Sequence, residues 1–311
     1  MNCKTNCELN TGRTEEERME KIYVADVPDN TNVCSYIMKN TDWAERLKSV
    51  KPRQEYPKLL CFDIKDFDPV QLTKDIYEAM EIYGRHGWNT ADGPLKRYGG
   101  FSLVYNPSHI ENLDPHASTL GTNKNRRDQY FFGNVENHTI IKNSYYDSYG
   151  FNTPTPASQH KSLGAFMDRC KRTRIRSRLA VIDSRYPLDL SAGAGWHKDE
   201  PVFENIRINI PVLTNENYLF EIENYDPVHL KVGMAYTWDT HVPHRVFNTE
   251  NEESERIHLV FGFSPWWDYL PDEQVWVQNE FYGKKHPFDM MVDGDIFEGL
   301  EFRPDVKVLE G

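Results

Sequence analysis

The chain has 311 residues, 36 Lys and Arg against 48 Asp and Glu, and a formal net charge of -12. Aromatics make up 13% and hydrophobic residues 39%, enough for a substantial core. A mean hydropathy of -0.70 and the lack of any apolar run near the ~20 residues of a membrane helix argue against a membrane partner. The acidic balance argues against a nucleic-acid partner. The amino terminus, "MNCKTNCELNTGRTEEERME", has no apolar secretory core, so a cytoplasmic protein is expected.

Residues 1–20 read as a polar, disordered tail. The cysteines (Cys3, Cys7, Cys34, Cys61 and Cys170) are odd in number and scattered, with no CxxC pair, so no disulfide framework or cysteine zinc site is expected. Residues 21–165 read as a mixed α/β and loop region packing on the core. Within it, "CFDIKDFDPVQLTKDIYEAMEIYGRHG" predicts a short strand and then a helix with Leu72, Ile76, Met80 and Ile82 apolar, stopped by Gly84 and Gly87. Residues 91–160 are rich in Gly, Asn, Pro, Ser and Tyr and predict long loops. "SLGAFMDRC" predicts a short helix.

Next comes a basic run, "DRCKRTRIRSRL", with Arg172, Arg174, Arg176 and Arg178 at every second residue. As a strand, it would place these arginines on one face, either as a charged edge or as a patch for an anionic substrate.

Residues 166–270 carry short β-rich runs separated by turn signals: "SRLAVIDSR", "SAGAGWHKD", "RINIPVLT", "YLFEIEN", "VHLKV", "MAYTWD", "HRVFN" and "RIHLVFGF". That spacing predicts a mainly β fold with flanking helices and a double-stranded β-helix (jelly-roll or cupin-like) core. Residues 271–311 read as an extension over the core. The aromatic stretch after Ser264, with Trp266, Trp267 and Tyr269, is a candidate substrate wall.

Strand alternation sorts the β residues by face. Arg207, Asn209 and Pro211 share one face and Ile206, Ile208 and Ile210 the other; Arg256, His258 and Val260 oppose Ile257, Leu259 and Phe261. Alternation alone fits a half-exposed sheet with its polar face out. The histidines favour a polar pocket inside the roll. His197 and Asp199 are two residues apart and point the same way in an extended chain, and "WDTHVPHRVFN" supplies His241 and His244 some 45 residues later. His-x-Asp followed by a distant His is the layout of a 2-His-1-carboxylate site for Fe(II), which leaves positions open for substrate and oxygen. Such pairs also arise by chance, as His109 and Glu111 in "PSHIEN" illustrate. Arg256, twelve positions after His244, adds a guanidinium suited to a carboxylate. 2-Oxoglutarate meets both needs, with a keto acid to chelate iron and a far carboxylate for the arginine. His229 and His258 read as structural.

The stretch 184–267 resembles the aspartyl/asparaginyl β-hydroxylase family of Fe(II)/2-oxoglutarate-dependent oxygenases. The resemblance rests on His197-Lys198-Asp199, Arg207-Ile208-Asn209, Lys231-Val232-Gly233, Trp238-Asp239, His244-Arg245-Val246-Phe247-Asn248 and Arg256. It implies His197, Asp199 and His244 as the metal ligands and His241 as a group outside that set. It implies Arg256 for the far carboxylate of 2-oxoglutarate, and Arg207 and Asn209 for the co-substrate near its keto-acid end. Asn209 stands where the family often has His. The implied activity is hydroxylation of an unactivated C–H in an amino acid, free or within a peptide or protein, using O2 and releasing succinate and CO2. The alternatives are a cupin-type metalloenzyme without 2-oxoglutarate, a zinc hydrolase with Glu200 or Asp239 as base, and a non-catalytic jelly-roll binding module.

Overall fold

The structure is a computed structural model, described over residues 20–28, 31–87, 97–107, 114–120, 148–186, 195–249 and 253–306. The expected tail up to residue 19 lies outside the described residues, as do stretches 91–96, 108–113 and 121–147 of the expected loop region. Cys3, Cys7, His109 and Glu111 also lie outside them. Cys34, Cys61 and Cys170 are not in disulfides among the described residues. Among the described residues, no helix is long and apolar enough to cross a membrane.

The chain is mainly β. In order, its strands are β1 (Lys21–Tyr23), β2 (Leu59–Ile64), β3 (His86–Gly87), β4 (Tyr98–Ser102), β5 (Val104–Tyr105), β6 (Thr153–Pro154), β7 (Arg178–Asp183) and β8 (Ile206–Leu213). They continue as β9 (Tyr218–Ile222), β10 (Val228–His229), β11 (Met234–Trp238), β12 (His244–Asn248), β13 (Glu255–Phe263), β14 (Trp267–Leu270), β15 (Val275–Gln278) and β16 (Leu300–Phe302). Eight strands form the main sheet, in the order β16-β2-β11-β8-β13-β7-β4-β3. A second sheet has the order β10-β9-β12, a third β1-β15-β14, and β5 pairs with β6. All these pairings are antiparallel. The main sheet thus takes β2, β3 and β4 from before residue 165 and β16 from after residue 271, so it is wider than the segment 166–270.

One face of the main sheet is apolar. Ile206, Ile208 and Ile210 of β8, Leu179 and Val181 of β7, and Ile257, Leu259 and Phe261 of β13 are buried there. Helix Pro69–Tyr83 covers them with Leu72, Ile76 and Ala79, and helix Lys161–Met167 with Leu163, Phe166 and Met167. The longer helix begins where Asp68 accepts from the backbone N–H of Val70 (3.1 Å) and Gln71 (3.0 Å). It stops at Gly84, whose φ of 83° favours glycine. Ile82, expected on its apolar face, is 57% exposed. Two positions past Met80 turns a helical side chain by about 200°, away from the sheet.

The opposite face of the main sheet meets the second sheet. Leu59, Cys61, Tyr236 and Trp238 pack there against Phe220, Ile222 and Leu230. Arg207, Asn209, Arg256 and His258 are buried on this face too, so it is an interior face and not a solvated one. Trp266 and Trp267 do not form a wall for it. Both are fully buried in the apolar core on the other side, where Trp267 lies 6.3 Å from Trp43 between ring centroids. The β14–β15 hairpin pairs with β1 and carries these indoles inward.

The arginines of the basic run do not share one face. The strand starts only at Arg178, and Arg176 takes a left-handed φ of 45° that breaks the alternation. Arg172 pairs with Asp268 (2.7 Å) and Glu280 (2.6 Å), Arg174 donates to the Met167 carbonyl, and Arg176 pairs with Glu200.

Candidate metal centre and its pocket

His197 and His244 are neighbours through their backbones. The N–H of His197 donates to the carbonyl of His244 (3.1 Å), and the N–H of His244 donates back (3.0 Å). Two residues on, the N–H of Asp199 donates to the carbonyl of Thr240 (2.8 Å). The His-x-Asp segment is therefore pinned beside the start of β12, with both its side chains on one side. Within the expected strand "SAGAGWHKD", His197 makes the only bridge among the described residues, and 187–194 lie outside them.

Each imidazole is oriented by a carbonyl. Nδ1 of His197 lies 2.6 Å from the Gly195 oxygen, and Nδ1 of His244 lies 2.9 Å from the Val242 oxygen. A ring nitrogen facing a carbonyl carries the proton, so the lone pair of each ring sits on Nε2. Those nitrogens lie 3.9 Å (His197) and 3.7 Å (His244) from Oδ2 of Asp199. All three ligand atoms fall within 4.8 Å of one another, so His197, Asp199 and His244 form a group that could hold a metal ion.

The protonation states suit that task. Burial, and then the neighbouring His244, push His197 down to about 4, so it is neutral near pH 7 as a ligand must be. Burial alone would raise Asp199. The Arg207 guanidinium and the two imidazoles outweigh it and hold the carboxyl well below its usual range. His241 donates its N–H to Asp239 (3.1 Å) and turns its ring toward the Asp199 carbonyl, outside the three-atom group.

The centre opens on a cavity of about 110 Å³, against the roughly 10–15 Å³ one water needs, so a molecule of several heavy atoms fits. Both sheets line it, through Asn209, Trp238 and Arg256 on the main sheet and Phe220, His244 and Val246 on the second.

The three residues expected at the co-substrate have different surroundings. Arg207 gives one arm to Asp199 and the other to Glu200. Both its arms thus lie on carboxylates of the chain, whereas the resemblance puts it at the keto-acid end. Asn209 lines the cavity, and among the described residues its carboxamide has no hydrogen-bond partner. Arg256 is 7% exposed, and among the described residues no carboxylate pairs with it. Its one side-chain hydrogen bond there goes to Nδ1 of His258 (2.8 Å). Burial lowers Arg256 to about 9, opposed by the nearby Tyr218 and Tyr98. A buried guanidinium without an acid is costly, and a carboxylate ligand would relieve that cost.

Two residues of the site, His258 and Tyr98, were not assigned to it from the sequence, and a third, Glu200, was offered only as the base of a zinc hydrolase. His258, read as structural, is fully buried and accepts from Arg256. Burial, and then Arg256 itself, hold its ring well below the ordinary value, so the ring is the neutral acceptor this bond requires. Tyr98 lies opposite Ile182, which lies opposite Arg256, so one row across β4, β7 and β13 places Tyr98 and Arg256 on the same face. Its phenol lines the cavity, and burial raises it. Glu200 holds Arg207 from behind Asp199. No family model matches the chain, and no curated protein sequence matches it.

Proposed function

We propose that this protein is an Fe(II)/2-oxoglutarate-dependent oxygenase of the aspartyl/asparaginyl β-hydroxylase kind, hydroxylating an amino acid or a residue within a peptide. The observation that carries this reading is Arg256, a buried guanidinium without a carboxylate among the described residues, lining the same cavity as His197, Asp199 and His244. A metal group alone fits many reactions. A metal group sharing a cavity with an acid-seeking arginine fits a metal-chelating dicarboxylate.

The strand order supports a double-stranded β-helix core. From β7 the chain passes to the His197 segment beside β12, then to β8, β9, β10, β11, β12 and β13. Of these, β7, β13, β8 and β11 are adjacent in the main sheet, and β12, β9 and β10 in the second. The chain thus alternates between two facing layers, as a jelly roll does.

In this reading His197, Asp199 and His244 would hold the ferrous ion at the edge of the cavity they line. The bound iron and 2-oxoglutarate supply the O2-dependent oxidation of a C–H bond, with succinate and CO2 as co-products. Asn209 offers the co-substrate a donor and an acceptor. Arg256, steadied by His258, takes the far carboxylate, and Tyr98 lines the same cavity in the same strand row. Phe220, Trp238 and Val246 keep the cavity wall apolar. Glu200 is engaged by Arg176 and Arg207, which leaves a zinc hydrolase without that residue as its base.

The test is an anaerobic titration of the metal-free protein with Fe(II) and then 2-oxoglutarate, following the visible charge-transfer band of the chelated co-substrate. The band is expected to form in the wild type and to vanish in His244→Ala. Absence of a band from the wild type at any 2-oxoglutarate concentration overturns the proposal.

A further inference from the structure

Arg176 belongs to the basic run, yet it is only 4% exposed. Its left-handed backbone, disfavoured for a residue with a side chain, turns it out of the strand pattern and onto Glu200. Glu200 is 1% exposed and Arg207 is 3% exposed. Oε1 of Glu200 takes Arg176, and Oε2 takes one arm of Arg207. The other arm of Arg207 takes Oδ2 of Asp199, the oxygen that faces both imidazoles. Ser148 donates to Oε1 of Glu200 (3.1 Å), and Thr240 donates its hydroxyl to the Glu200 carbonyl. Four buried groups of alternating charge thus run from Arg176 through Glu200 and Arg207 to Asp199.

A buried ion chain is a poor device for stability alone, because apolar residues of the same volume hold a core as well or better. Its particular property is direction. The planar Arg207 guanidinium bridges two carboxylates, one arm to each, so where Glu200 holds one arm decides where the other meets the Asp199 oxygen. We infer that Glu200 and Arg176 are positioning residues for Asp199, acting through Arg207 to aim its Oδ2 at the space between the two histidines. This rests on the reading of His197, Asp199 and His244 as metal ligands. It also gives Arg176 a role that needs no anionic partner outside the chain.

The test uses full-length protein and Mn(II), whose free-ion electron-resonance signal reports binding without turnover. Co(II) absorption then reports the geometry of the ligands. Glu200→Gln is expected to bind Mn(II) about 10–100-fold more weakly than wild type, the usual effect of losing an outer partner of a ligand, and to change the Co(II) spectrum. That variant leaves two buried guanidiniums without their shared acid and is at risk of unfolding. The double variant Arg176→Gln/Glu200→Gln keeps the charge balanced, and the same loss is expected of it. Arg176→Lys keeps the charge but not the fork, and a smaller loss with the same spectral change is expected. Any of these variants that melts like the wild type when metal-free, yet binds Mn(II) with wild-type affinity and an unaltered Co(II) spectrum, overturns the inference. A wild type that binds neither ion overturns the metal reading first and the inference with it, a result distinct from a loss confined to the variants.

Discussion

His197 and His244 are held side by side by two reciprocal backbone hydrogen bonds, and their ring centroids lie 4.4 Å apart. The second histidine of the centre is thereby chosen by backbone pairing. His241, three residues earlier, sits in the turn before β12 and has no such bond to His197. His244→Ala is expected to weaken Mn(II) binding by about 100-fold or more, since each ligand carries several kcal/mol of a total on the order of 10. His241→Ala is expected to stay within about threefold of the wild type. Calorimetric titration of both variants checks this, and the reverse order of effects would move the centre to His241.

Arg256 and Tyr98 lie in one row across three strands. Arg256→Met removes the charged partner of the far carboxylate, an interaction worth about 1.5–3 kcal/mol, and 2-oxoglutarate is expected to bind about 10–100-fold more weakly. Tyr98→Phe removes one neutral hydrogen bond, and a loss of about fivefold is expected. Pyruvate offers the same keto acid without the far carboxylate, so its weaker binding is expected to be the same in wild type and both variants. Equal losses for both ligands would show that the row serves the pocket's shape and not the carboxylate. Arg256→Met is also expected to melt no lower than the wild type without ligand, because it deletes a buried charge that no acid balances.

The strands from Arg178 to Phe263 were legible because most are short apolar runs bounded by turn residues, whereas β14 lies in the stretch read as a substrate wall and β15 and β16 in the one read as an extension over the core. The spacing of His197 and Asp199 from a later His suits one metal, and the resemblance, not the spacing, picked His244 over His241. That the polar face of "RINIPV" lines a pocket came from the histidines and not from alternation, and that both faces are covered was not legible. Alternation separates Ile208 from Arg207 and Asn209 but is silent on what covers each side, and here helices cover one and the second sheet the other. Arg207 could not be placed because its partner Glu200 is a charged residue in a run of polar ones, and nothing local marks it as 1% exposed. Tyr98 was beyond reach for a different reason. β4 joins β7 across some eighty residues of chain, and no local pattern encodes that pairing. Arg176 misled for a local one, since a single left-handed residue ends the alternation that the arginine spacing implied.

Glu204 is a buried acid five residues past Asp199. Burial pushes its carboxyl from the ordinary 4.5 up to about 7, against the pull of Ser148 and Arg176. Between those values the native state keeps a proton that the unfolded chain has released. Stability is therefore lost as pH rises from about 4.5 to 7, by on the order of 3 kcal/mol in all. Glu204→Gln keeps the shape and removes the titration. The melting temperature of the variant relative to wild type is expected to be higher at pH 8 than at pH 5. A difference that does not change with pH would mean that Glu204 ionises normally.

Gly100 connects the fold to the pocket. It lies opposite Ala180, which lies opposite His258, so the row next to Arg256 runs Gly100, Ala180, His258, with two small residues on β4 and β7. Its φ is 141°, and a Cβ there would stand 1.9 Å from the Leu179 carbonyl oxygen. That oxygen belongs to the β7 backbone and cannot swing aside as a side chain would. Gly100→Ala must either push β4 off β7 or force the backbone out of its native φ, at a cost of about 2–4 kcal/mol. Displacing β4 also moves Tyr98 away from Arg256. The variant is therefore expected to melt several degrees lower and, below its melting point, to bind 2-oxoglutarate at least as weakly as Tyr98→Phe, with Mn(II) affinity unchanged. Thermal melts and the two titrations check this together. A stable variant with wild-type 2-oxoglutarate affinity would show that β4 is not fixed at this position and takes no part in the co-substrate end of the cavity.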